Sequence, residues 1–323
     1  MQTIKMLCVL LVATSTAGAE PHPTAHLTNG LVEASVYLPD AESGYYRATR
    51  FDWSGVIYRL GYAGHEYFDE WQDSDDPYLH DRITGPVDCF SPLDPLGYDE
   101  APAGGSFLRI GVGMCEKPDE EAFVRTNTYR ILDHGTRQVT RGANWIEFVH
   151  HLGGPQSDYA YRYAKRLTLT PGTPEMVIDY VLENVGRLPI ETTVYNHNFF
   201  VIDEQPTGPD FVVRFPFAPV ADRELNWAAT VRGRELVFGE PVPEGSAVFG
   251  YFEGYGTSAD DHRFEIENRH VGAGVRVATD KPLARLRLWS PSTTVCPEPF
   301  VALDIRPGHA DRWSTRYEFY ELE

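Results

Sequence analysis

Two short segments of this 323-residue chain carry side chains that can do acid–base chemistry. The first, residues 193–200, reads TVYNHNFF and sets His197 among residues typical of a buried strand. The second, residues 295–300, reads VCPEPF and holds Glu298 between two prolines. An imidazole and a carboxylate in apolar settings can act as a general acid and a general base. Because the two segments are far apart in sequence, the fold must bring them together.

The prolines beside Glu298 predict how its strand is placed. Proline cannot donate a hydrogen bond to a β ladder, so Pro297 and Pro299 predict an edge or a bulge that aims Glu298 into a cleft. The alternative is a charge that only protects a sheet edge. For His197, the alternative is a buried histidine held by hydrogen bonds in the core.

The surrounding chain predicts the elements that must position these residues. Turn signals such as Asn29-Gly30 and Pro307-Gly308 separate short runs rich in Val, Tyr, Phe and Thr. Period-two or apolar patterns predict strands at residues 31–37, 162–169, 176–182, 284–289 and 317–320. We therefore expect an all-β fold, a β-sandwich of two packed, largely antiparallel sheets, with a two-domain arrangement as the alternative. The acidic, proline-containing segments 69–99 and 117–121 are predicted to be loops over a sheet face.

The N-terminal segment has the pattern of a secretory signal. Residues 1–19 combine Lys5, an apolar run at 6–12 and the small residues Ala17-Gly18-Ala19. We expect this signal peptide to be removed, which leaves residues 20–323 as one domain in a periplasmic or secreted protein. No other apolar run approaches the roughly 20 residues that a membrane span needs.

Composition excludes several classes of function. A net charge of −19 disfavours binding to nucleic acid. After the signal, Cys89, Cys115 and Cys296 are too few for a disulfide scaffold, and we expect them to be free. No Gly-x-Ser-x-Gly elbow or phosphate loop is present, so acyl transfer and nucleotide hydrolysis have no visible machinery. The oligomeric state is not indicated.

No metal or other cofactor is expected. The acidic residues of segment 69–81 do not have the spacing of a calcium-binding EF-hand loop, which favours a solvated acidic loop. His150 and His151 are adjacent, so on a strand they point to opposite sides and cannot readily bind one metal together. We expect one of them to be buried and the other exposed.

The two chemical segments resemble those of a known family. Residues 195–200, YNHNFF, resemble the Asn-His-x-Tyr/Phe-Phe strand motif of the aldose 1-epimerases, the galactose mutarotase-like group. Trp289 followed by residues 296–299, CPEP, resembles the segment with that group's catalytic glutamate, particularly in the glucose-6-phosphate 1-epimerase-like branch. The Pro-Gly turn at 307–308 and the following residues 313–320 resemble the group's closing strands. The resemblance covers roughly residues 106–323.

This resemblance implies a galactose mutarotase-like β-sandwich, also called a supersandwich, that interconverts sugar anomers without a cofactor. In that reaction His197 is the acid for the ring oxygen and Glu298 is the base for the anomeric hydroxyl. A carboxylate near an imidazole favours the imidazolium form that an acid must hold. We therefore expect both side chains to meet at one hollow large enough for a saccharide.

Further residues are candidates for binding the carbohydrate. Arg47 and Arg50 can form forked hydrogen bonds to sugar hydroxyls or to a uronate carboxylate, although a solvated strand face is the alternative. Tyr129 and Trp289 are expected to line the same face, together with His150 or His151, and Asn196 is a further candidate for binding the substrate. The group's second histidine has no counterpart in residues 111–118, where Lys117 is the residue that could take its place. A surface lysine is the alternative for Lys117.

Two other functions stay open at this point. The first is a polysaccharide lyase or other glycan-cleaving enzyme on the same fold, motivated by Lys117 and the two arginines. Elimination from a uronate needs a neutralised carboxylate, a base at C5 and an acid at the leaving oxygen. The second is a carbohydrate-binding protein without catalytic activity.

Overall fold

The computed structural model describes residues 22–119, 122–225 and 228–322. The predicted signal segment, residues 1–19, lies outside the described residues. Within them the chain forms strands throughout, with one short 3₁₀ turn at Ala259–Asp261. None of the described helical structure has the length and apolarity needed to cross a bilayer.

The described strands, in chain order, are β1 (Thr24–Thr28), β2 (Val32–Tyr37), β3 (Val56–Tyr62), β4 (His65–Phe68), β5 (Val87–Phe90), β6 (Ser106–Arg109), β7 (Gly113–Glu116), β8 (Ile131–Asp133), β9 (Thr136–Arg141), β10 (Trp145–Leu152), β11 (Tyr161–Leu169), β12 (Glu175–Asn184), β13 (Ile190–His197), β14 (Phe211–Arg214), β15 (Val220–Ala221), β16 (Ala229–Arg232), β17 (Glu235–Phe238), β18 (Ala247–Glu253), β19 (Arg263–Asn268), β20 (Ala273–Thr279), β21 (Arg285–Pro291), β22 (Cys296–Ile305) and β23 (Ala310–Glu321).

The predicted all-β, antiparallel fold is confirmed. One sheet has ten strands in the order β16-β17-β14-β19-β20-β23-β12-β11-β10-β9, and another has six in the order β15-β18-β21-β22-β13-β5. The five strands predicted from period-two or apolar patterns are found within β2, β11, β12, β21 and β23. Two smaller sheets, β1-β2-β3-β4 and β6-β7-β8, were not predicted.

Apolar side chains from both large sheets form one core. Strand β12 alternates buried and less buried residues, and its buried side chains include Ile178 and Leu182. They belong to the same cluster as Val194 of β13 and Leu303 of β22. This packing holds β13 and β22 from behind, which leaves their other faces for a site.

The prediction that residues 69–99 form only loops is wrong at one point. Strand β5 lies within this segment, all four of its residues are buried, and it pairs with β13 from Val194↔Phe90 to His197↔Val87. The apolar residues of β5 are surrounded by acidic residues and prolines, which hid the strand in the sequence. Strand β5 fixes one side of the backbone that carries His197.

The ladder between β13 and β22 has a gap where the two predicted chemical residues lie. Pairing runs as far as Tyr195↔Phe300 and resumes at the isolated bridge Phe200↔Val295. The prolines beside Glu298 have no N–H for this ladder. The expected edge position of Glu298 is wrong, because β22 lies between β21 and β13 in the sheet. At Glu298, however, the backbone of β22 is paired only with β21. The gap in the ladder allows the side chain of Glu298 to point into a site, as a sheet edge was expected to do.

Candidate functional site

His197 and Glu298 meet in this gap. Their Nε2 and Oε1 atoms lie 3.2 Å apart, although they are far apart in sequence. The two residues are only 2% and 1% exposed. Within the described part of the chain, Oε1 of Glu298 makes no well-directed hydrogen bond, and its contact is the one with Nε2 of His197.

The other oxygen of Glu298 is held by Arg287, a residue that the sequence interpretation missed. Arg287 of β21 lies directly opposite Glu298 of β22, and its Nε and Nη2 atoms both contact Oε2. The guanidinium also lies over the ring of Tyr195, 4.8 Å from its centre. The period of a strand places Arg287 on the same face as Trp289, and this signal could have found it.

Cys296 is a second residue that was missed at the site. Its Sγ lies 2.6 Å from Nδ1 of His197, and the backbone N–H of Phe199 donates to the same sulfur at 3.1 Å. Cys296 is buried and forms no disulfide, as expected. Because it is two residues before Glu298 on one strand, both side chains point to the same face. His197 thus has a thiol at one ring nitrogen and a carboxylate at the other.

The electrostatics of the pair differ from the expected imidazolium. Burial lowers the pKa of His197 well below its usual value, and the charges of Arg50 and Arg287 lower it further. The imidazole is therefore neutral at neutral pH. Burial raises the pKa of Glu298, while Arg287 acts in the opposite direction. A carboxylate with a raised pKa is a stronger base than an exposed one.

Aromatic side chains cover the pair. Phe199 stacks on His197 with ring centres 3.7 Å apart. Trp71 in turn stacks on Phe199, with ring centres 5.4 Å apart. The rings of Phe51 and Trp289 each approach His197 edge-on at 5.5 Å. The expected saccharide-sized hollow is therefore closed, and a sugar can reach the pair only when this aromatic cover moves.

The loop that carries Trp71, residues 69–84, has hydrogen bonds within itself and others to residues 45–47 and Thr128. Trp71 Nε1 donates to the carbonyl of Ile83 at 2.9 Å, and Gln72 Nε2 donates to the carbonyl of Asp81 at 2.6 Å. Thr84 adds a hydrogen bond to the carbonyl at the start of the loop. These internal bonds let residues 69–84 act as one unit over the site.

One of the two predicted arginines lies at the site. Arg50 is buried, its Nη2 donates to the hydroxyl of Tyr195 at 3.1 Å, and its charge acts on His197. Arg47 instead donates to a backbone carbonyl at 2.7 Å and lies over the ring of Tyr78. Arg125, which was not predicted, is partly exposed and its charge also acts on both members of the pair.

Lys117 and Tyr129 lie in a different cluster. Lys117 Nζ donates to the carbonyl of Tyr98 at 2.7 Å and lies over the ring of the same residue. Tyr129 packs against Phe107 with ring centres 5.1 Å apart, and its hydroxyl donates to a backbone carbonyl. These contacts place both residues around Tyr98 rather than beside His197.

Asn196 points to the other face of its strand. Its Nδ2 donates to Oδ1 of Asp88 at 3.2 Å, and its Oδ1 accepts from the hydroxyl of Tyr317 at 2.9 Å. Because neighbouring strand residues alternate in direction, Asn196 faces the second large sheet while His197 faces the aromatic cover. Asn196 therefore supports the strand from behind and does not line the His197 side.

A buried charge cluster lies behind the strand. Lys165 Nζ lies 2.7 Å from Oδ2 of Asp88 and 3.7 Å from Oδ2 of Asp52, and all three side chains are buried. The hydroxyl of Tyr163 donates to Asp52 at 3.2 Å. Burial raises the pKa of Asp52, although the charge of Lys165 opposes this shift. Lys165 thus compensates two carboxylates in the interior.

The expectation for the adjacent histidines is confirmed, since His150 is buried and His151 is exposed. His150 Nε2 donates to the carbonyl of His134 at 2.8 Å, and its Nδ1 accepts from the hydroxyl of Tyr161 at 2.9 Å. Burial lowers the pKa of His150 to about 3. These two partners fix the protonated nitrogen of His150.

His197, Cys296 and Glu298 are also residue types that bind zinc, and one ligand atom from each lies within 4.8 Å of the others. Two features argue against a cation in this cluster. The carboxylate is already paired with the guanidinium of Arg287, and Arg50 adds a second positive charge nearby. The arrangement is therefore better suited to proton transfer than to metal binding.

A groove of about 500 Å³ lies away from the buried pair, on the outer face of the ten-stranded sheet. It contains several arginines, but Arg214 is paired with Glu235 and Glu267, and Arg276 is paired with Glu265. Cross-strand charge pairs of this kind stabilise a sheet. The groove therefore presents charges that are already paired with one another.

Comparisons with known proteins support the fold. No family model matches the chain, and a search of curated proteins finds no match. Solved structures do match. A putative aldose 1-epimerase from Escherichia coli K12 is similar with a TM-score of 0.57 and 12% identity, over 93% of this chain and 99% of that one. An aldose epimerase homologue from C. elegans has a TM-score of 0.58 and 10% identity, over 93% and 99%.

A galactose mutarotase-like protein from Lactobacillus casei matches with a TM-score of 0.53 and 13% identity, over 92% of this chain and all of that one. At such low identity the likeness concerns the fold, and it extends over nearly the whole of each chain. The chain therefore has the fold of galactose mutarotase-like proteins.

Proposed function

We propose that the protein is an aldose 1-epimerase-like isomerase that interconverts the anomers of a free sugar without a cofactor. The observation that carries this proposal is the contact between Nε2 of His197 and Oε1 of Glu298. Within the described residues Oε1 has no hydrogen bond, and leaving a buried acceptor unsatisfied costs free energy. A substrate hydroxyl would supply a well-directed donor to this oxygen. The similarity of the fold to a putative aldose 1-epimerase and to a galactose mutarotase-like protein supports the same activity.

The reaction needs two proton transfers. Glu298 takes the proton of the anomeric hydroxyl through Oε1, the bond between C1 and the ring oxygen breaks, and His197 gives the proton on Nε2 to that oxygen. The open-chain aldehyde then rotates about its C1–C2 bond. Reversal of both transfers closes the ring on either face, so that no atom is gained or lost.

Substrate entry requires movement of the aromatic cover. Trp71 lies in residues 69–84, which belong to no strand, so its displacement need not break the sheets. Trp71 and Trp289 then present ring faces on which the apolar face of a sugar can pack. Arg50, Arg125 and Arg287, whose charges act on His197, can donate hydrogen bonds to sugar hydroxyls.

The experiment is mutarotation of freshly dissolved α-glucose and α-galactose, followed by polarimetry or NMR. We expect wild-type protein to accelerate the change over buffer, and His197→Ala and Glu298→Gln to lose about 100-fold or more of this rate. His151→Ala changes an exposed histidine and should keep the full rate. No acceleration with any common aldose would overturn the proposal.

The two alternative functions predict different experimental results. A lyase would release unsaturated products that absorb ultraviolet light, but Lys117, which motivated this alternative, is bound to the carbonyl of Tyr98. A binding protein would bind sugar equally well with Glu298→Gln and show no turnover in either form. Calorimetry beside the mutarotation assay separates these cases.

We also propose that residues 1–19 direct export and are then removed. The support is the order of charge, apolar run and small residues in that segment. Sequencing the N-terminus of the protein recovered from the periplasm or medium should find a start near Glu20. Recovery of the intact N-terminus inside the cell would contradict this.

A further inference from the structure

We propose that Cys296 is the positioning residue for His197: its thiol donates to Nδ1 and thereby keeps the proton of the neutral imidazole on Nε2, the nitrogen that faces Glu298. The inference goes beyond the acid–base pair and rests on the proposed function only for its effect on rate. Its structural part concerns which nitrogen carries a proton, and this can be measured without any sugar.

The contacts of the sulfur determine the direction of the hydrogen bond. The N–H of Phe199 donates to Sγ at 3.1 Å. The sulfur is therefore already an acceptor for a backbone donor. Its own proton is directed to the imidazole of His197, whose Nδ1 lies 2.6 Å away. A nitrogen that accepts a hydrogen bond carries no proton, so the proton must be on Nε2.

The charge states agree with this geometry. Burial raises the pKa of Cys296 well above its usual value and lowers that of His197, so a neutral thiol beside a neutral imidazole is favoured over a thiolate–imidazolium pair. The opposite tautomer would need a protonated Glu298 that donates to Nε2. The guanidinium of Arg287 on the same carboxyl group opposes that protonation.

The thiol also resolves a difficulty in the chemistry. A neutral imidazole that lost its Nε2 proton to the ring oxygen would become an anion, which is unfavourable in a buried site. With Cys296 in contact, Nδ1 takes the thiol proton as the Nε2–H bond breaks, and the imidazole stays neutral. Glu298 becomes a carboxylic acid and Cys296 becomes a thiolate, so the negative charge moves from oxygen to sulfur. Ring closure returns both protons.

The thiolate formed in this step has stabilising partners in the structure. The backbone N–H of Phe199 points at the sulfur, and the charge of Arg287 lowers the pKa of the thiol against the effect of burial. Backbone donors aimed at a developing negative charge are a common source of catalytic stabilisation. The same contacts would be lost if residue 296 had an apolar side chain.

The test is nitrogen NMR of histidine-labelled protein at pH 7, which reports the protonated nitrogen of each ring. We expect neutral His197 with its proton on Nε2 in the wild type, a loss of this preference in Cys296→Ala, and its return in Cys296→Ser, which keeps a donor. His150 is the internal control, because His134 and Tyr161 hold its proton on Nε2 in every variant. An unchanged His150 signal also shows that each variant is folded.

Cys115→Ala is the matched control variant. Cys115 is equally buried but packs with Phe107 and Tyr129 instead of a histidine, so its removal should leave the His197 signal unchanged. An imidazolium or a proton on Nδ1 in the wild type would overturn the proposal. So would a Cys296→Ala spectrum in which His197 is the same as in wild type.

The rate gives a second readout. We expect Cys296→Ala to lower kcat by roughly tenfold or more with a small change in KM, and Cys296→Ser to recover part of the loss. If no aldose is turned over by wild type, the proposed function fails while the NMR result still decides the role of Cys296. If wild type is active and Cys296→Ala is equally active, the positioning role fails while the proposed function stands.

Discussion

Arg287 and Glu298 lie directly opposite each other on β21 and β22, and two guanidinium nitrogens contact the same carboxylate oxygen. This leaves Oε1 directed at His197 without a hydrogen bond among the described residues. One oxygen is therefore fixed by an ion pair and the other is available for a proton. The pairing register of the two strands produces this division.

Removing Arg287 should leave a buried carboxylate without its cation. We expect Arg287→Met to lower the free energy of unfolding by about 3–5 kcal/mol at pH 7, because the unpaired charge remains in the interior. Urea denaturation measures this. Arg285→Met is the control, since Arg285 is exposed on the same strand and should change stability by about 0.5 kcal/mol or less. Similar losses in both variants would show that the ion pair is not the cause.

Lys165 should be equally important to the interior behind β13. Lys165→Met leaves Asp52 and Asp88 buried together, and we expect a loss of about 3–5 kcal/mol in the free energy of unfolding. Arg166→Met is the control, because Arg166 is the next residue, is partly exposed, and contacts Glu147 at 3.7 Å and the ring of Trp145 at 3.9 Å without compensating a buried charge. It should lose about 1 kcal/mol or less.

The same variant should respond to acid in a specific direction. Burial already raises the pKa of Asp52, and loss of Lys165 removes the charge that opposes this shift. The native variant then binds a proton at a higher pH than the unfolded chain does, so its stability increases as pH falls through that window. The gap in unfolding free energy between wild type and Lys165→Met should therefore narrow from pH 7 to pH 5. A constant gap would argue against a charge effect.

His150 should make stability depend on pH with the opposite sign. Its pKa in the native state is about 3, while an unfolded histidine titrates near 6.5. Between these values the unfolded chain binds the proton, so stability falls as pH falls, by up to about 1.4 kcal/mol per pH unit. Unfolding curves from pH 6.5 to 4.5 should be less steep in pH for His150→Gln than for wild type. His151→Gln, at an exposed site, should match wild type.

Trp71 should limit access to the buried pair. In wild type we expect His197 to react slowly with diethyl pyrocarbonate, while the exposed His151 reacts freely. Trp71→Ala removes the ring stacked on Phe199 and should speed modification of His197 without changing that of His151. Peptide mass spectrometry measures both sites in one sample. Fast modification of His197 in wild type would mean that the cover is open in solution.

Much of the fold follows from local patterns. The period-two alternation that predicts strands survives in β11, β12 and β23 because each buries one face against the core. Strand β5 was missed because a four-residue strand has too little sequence for a pattern to stand out from the acidic residues around it. The pairing of distant strands was outside the reach of such patterns.

The site could be predicted only in part for the same reason. Motifs identified His197 and Glu298, and Arg50 was also predicted, whereas Trp71 and Arg125 reach the pair from loops whose paths no local pattern describes. Asn196 was assigned to the site because it is next to His197 in the motif. The alternation that separated His150 from His151 applies to it equally, and it correctly predicts opposite faces.

The burial of His197 and Glu298 under aromatic side chains also could not be predicted from the sequence. An apolar setting was expected around each residue, but the degree of cover depends on the packing of side chains from several segments. That packing lowers the pKa of His197 enough to reverse the expected effect of Glu298. Desolvation depends on the whole environment, while a motif shows only its neighbours in sequence.

Side chains at the end of β13 point alternately to opposite faces of the sheet and have different roles. His197 meets the reactive carboxylate, while the amide oxygens of Asn196 and of Asn198, which follows the strand, share the single hydroxyl proton of Tyr317 on the opposite sheet. A scan of replacements along this strand should therefore yield two interleaved phenotypes, inactive but soluble protein at 197 and poorly folded protein at 196 and 198.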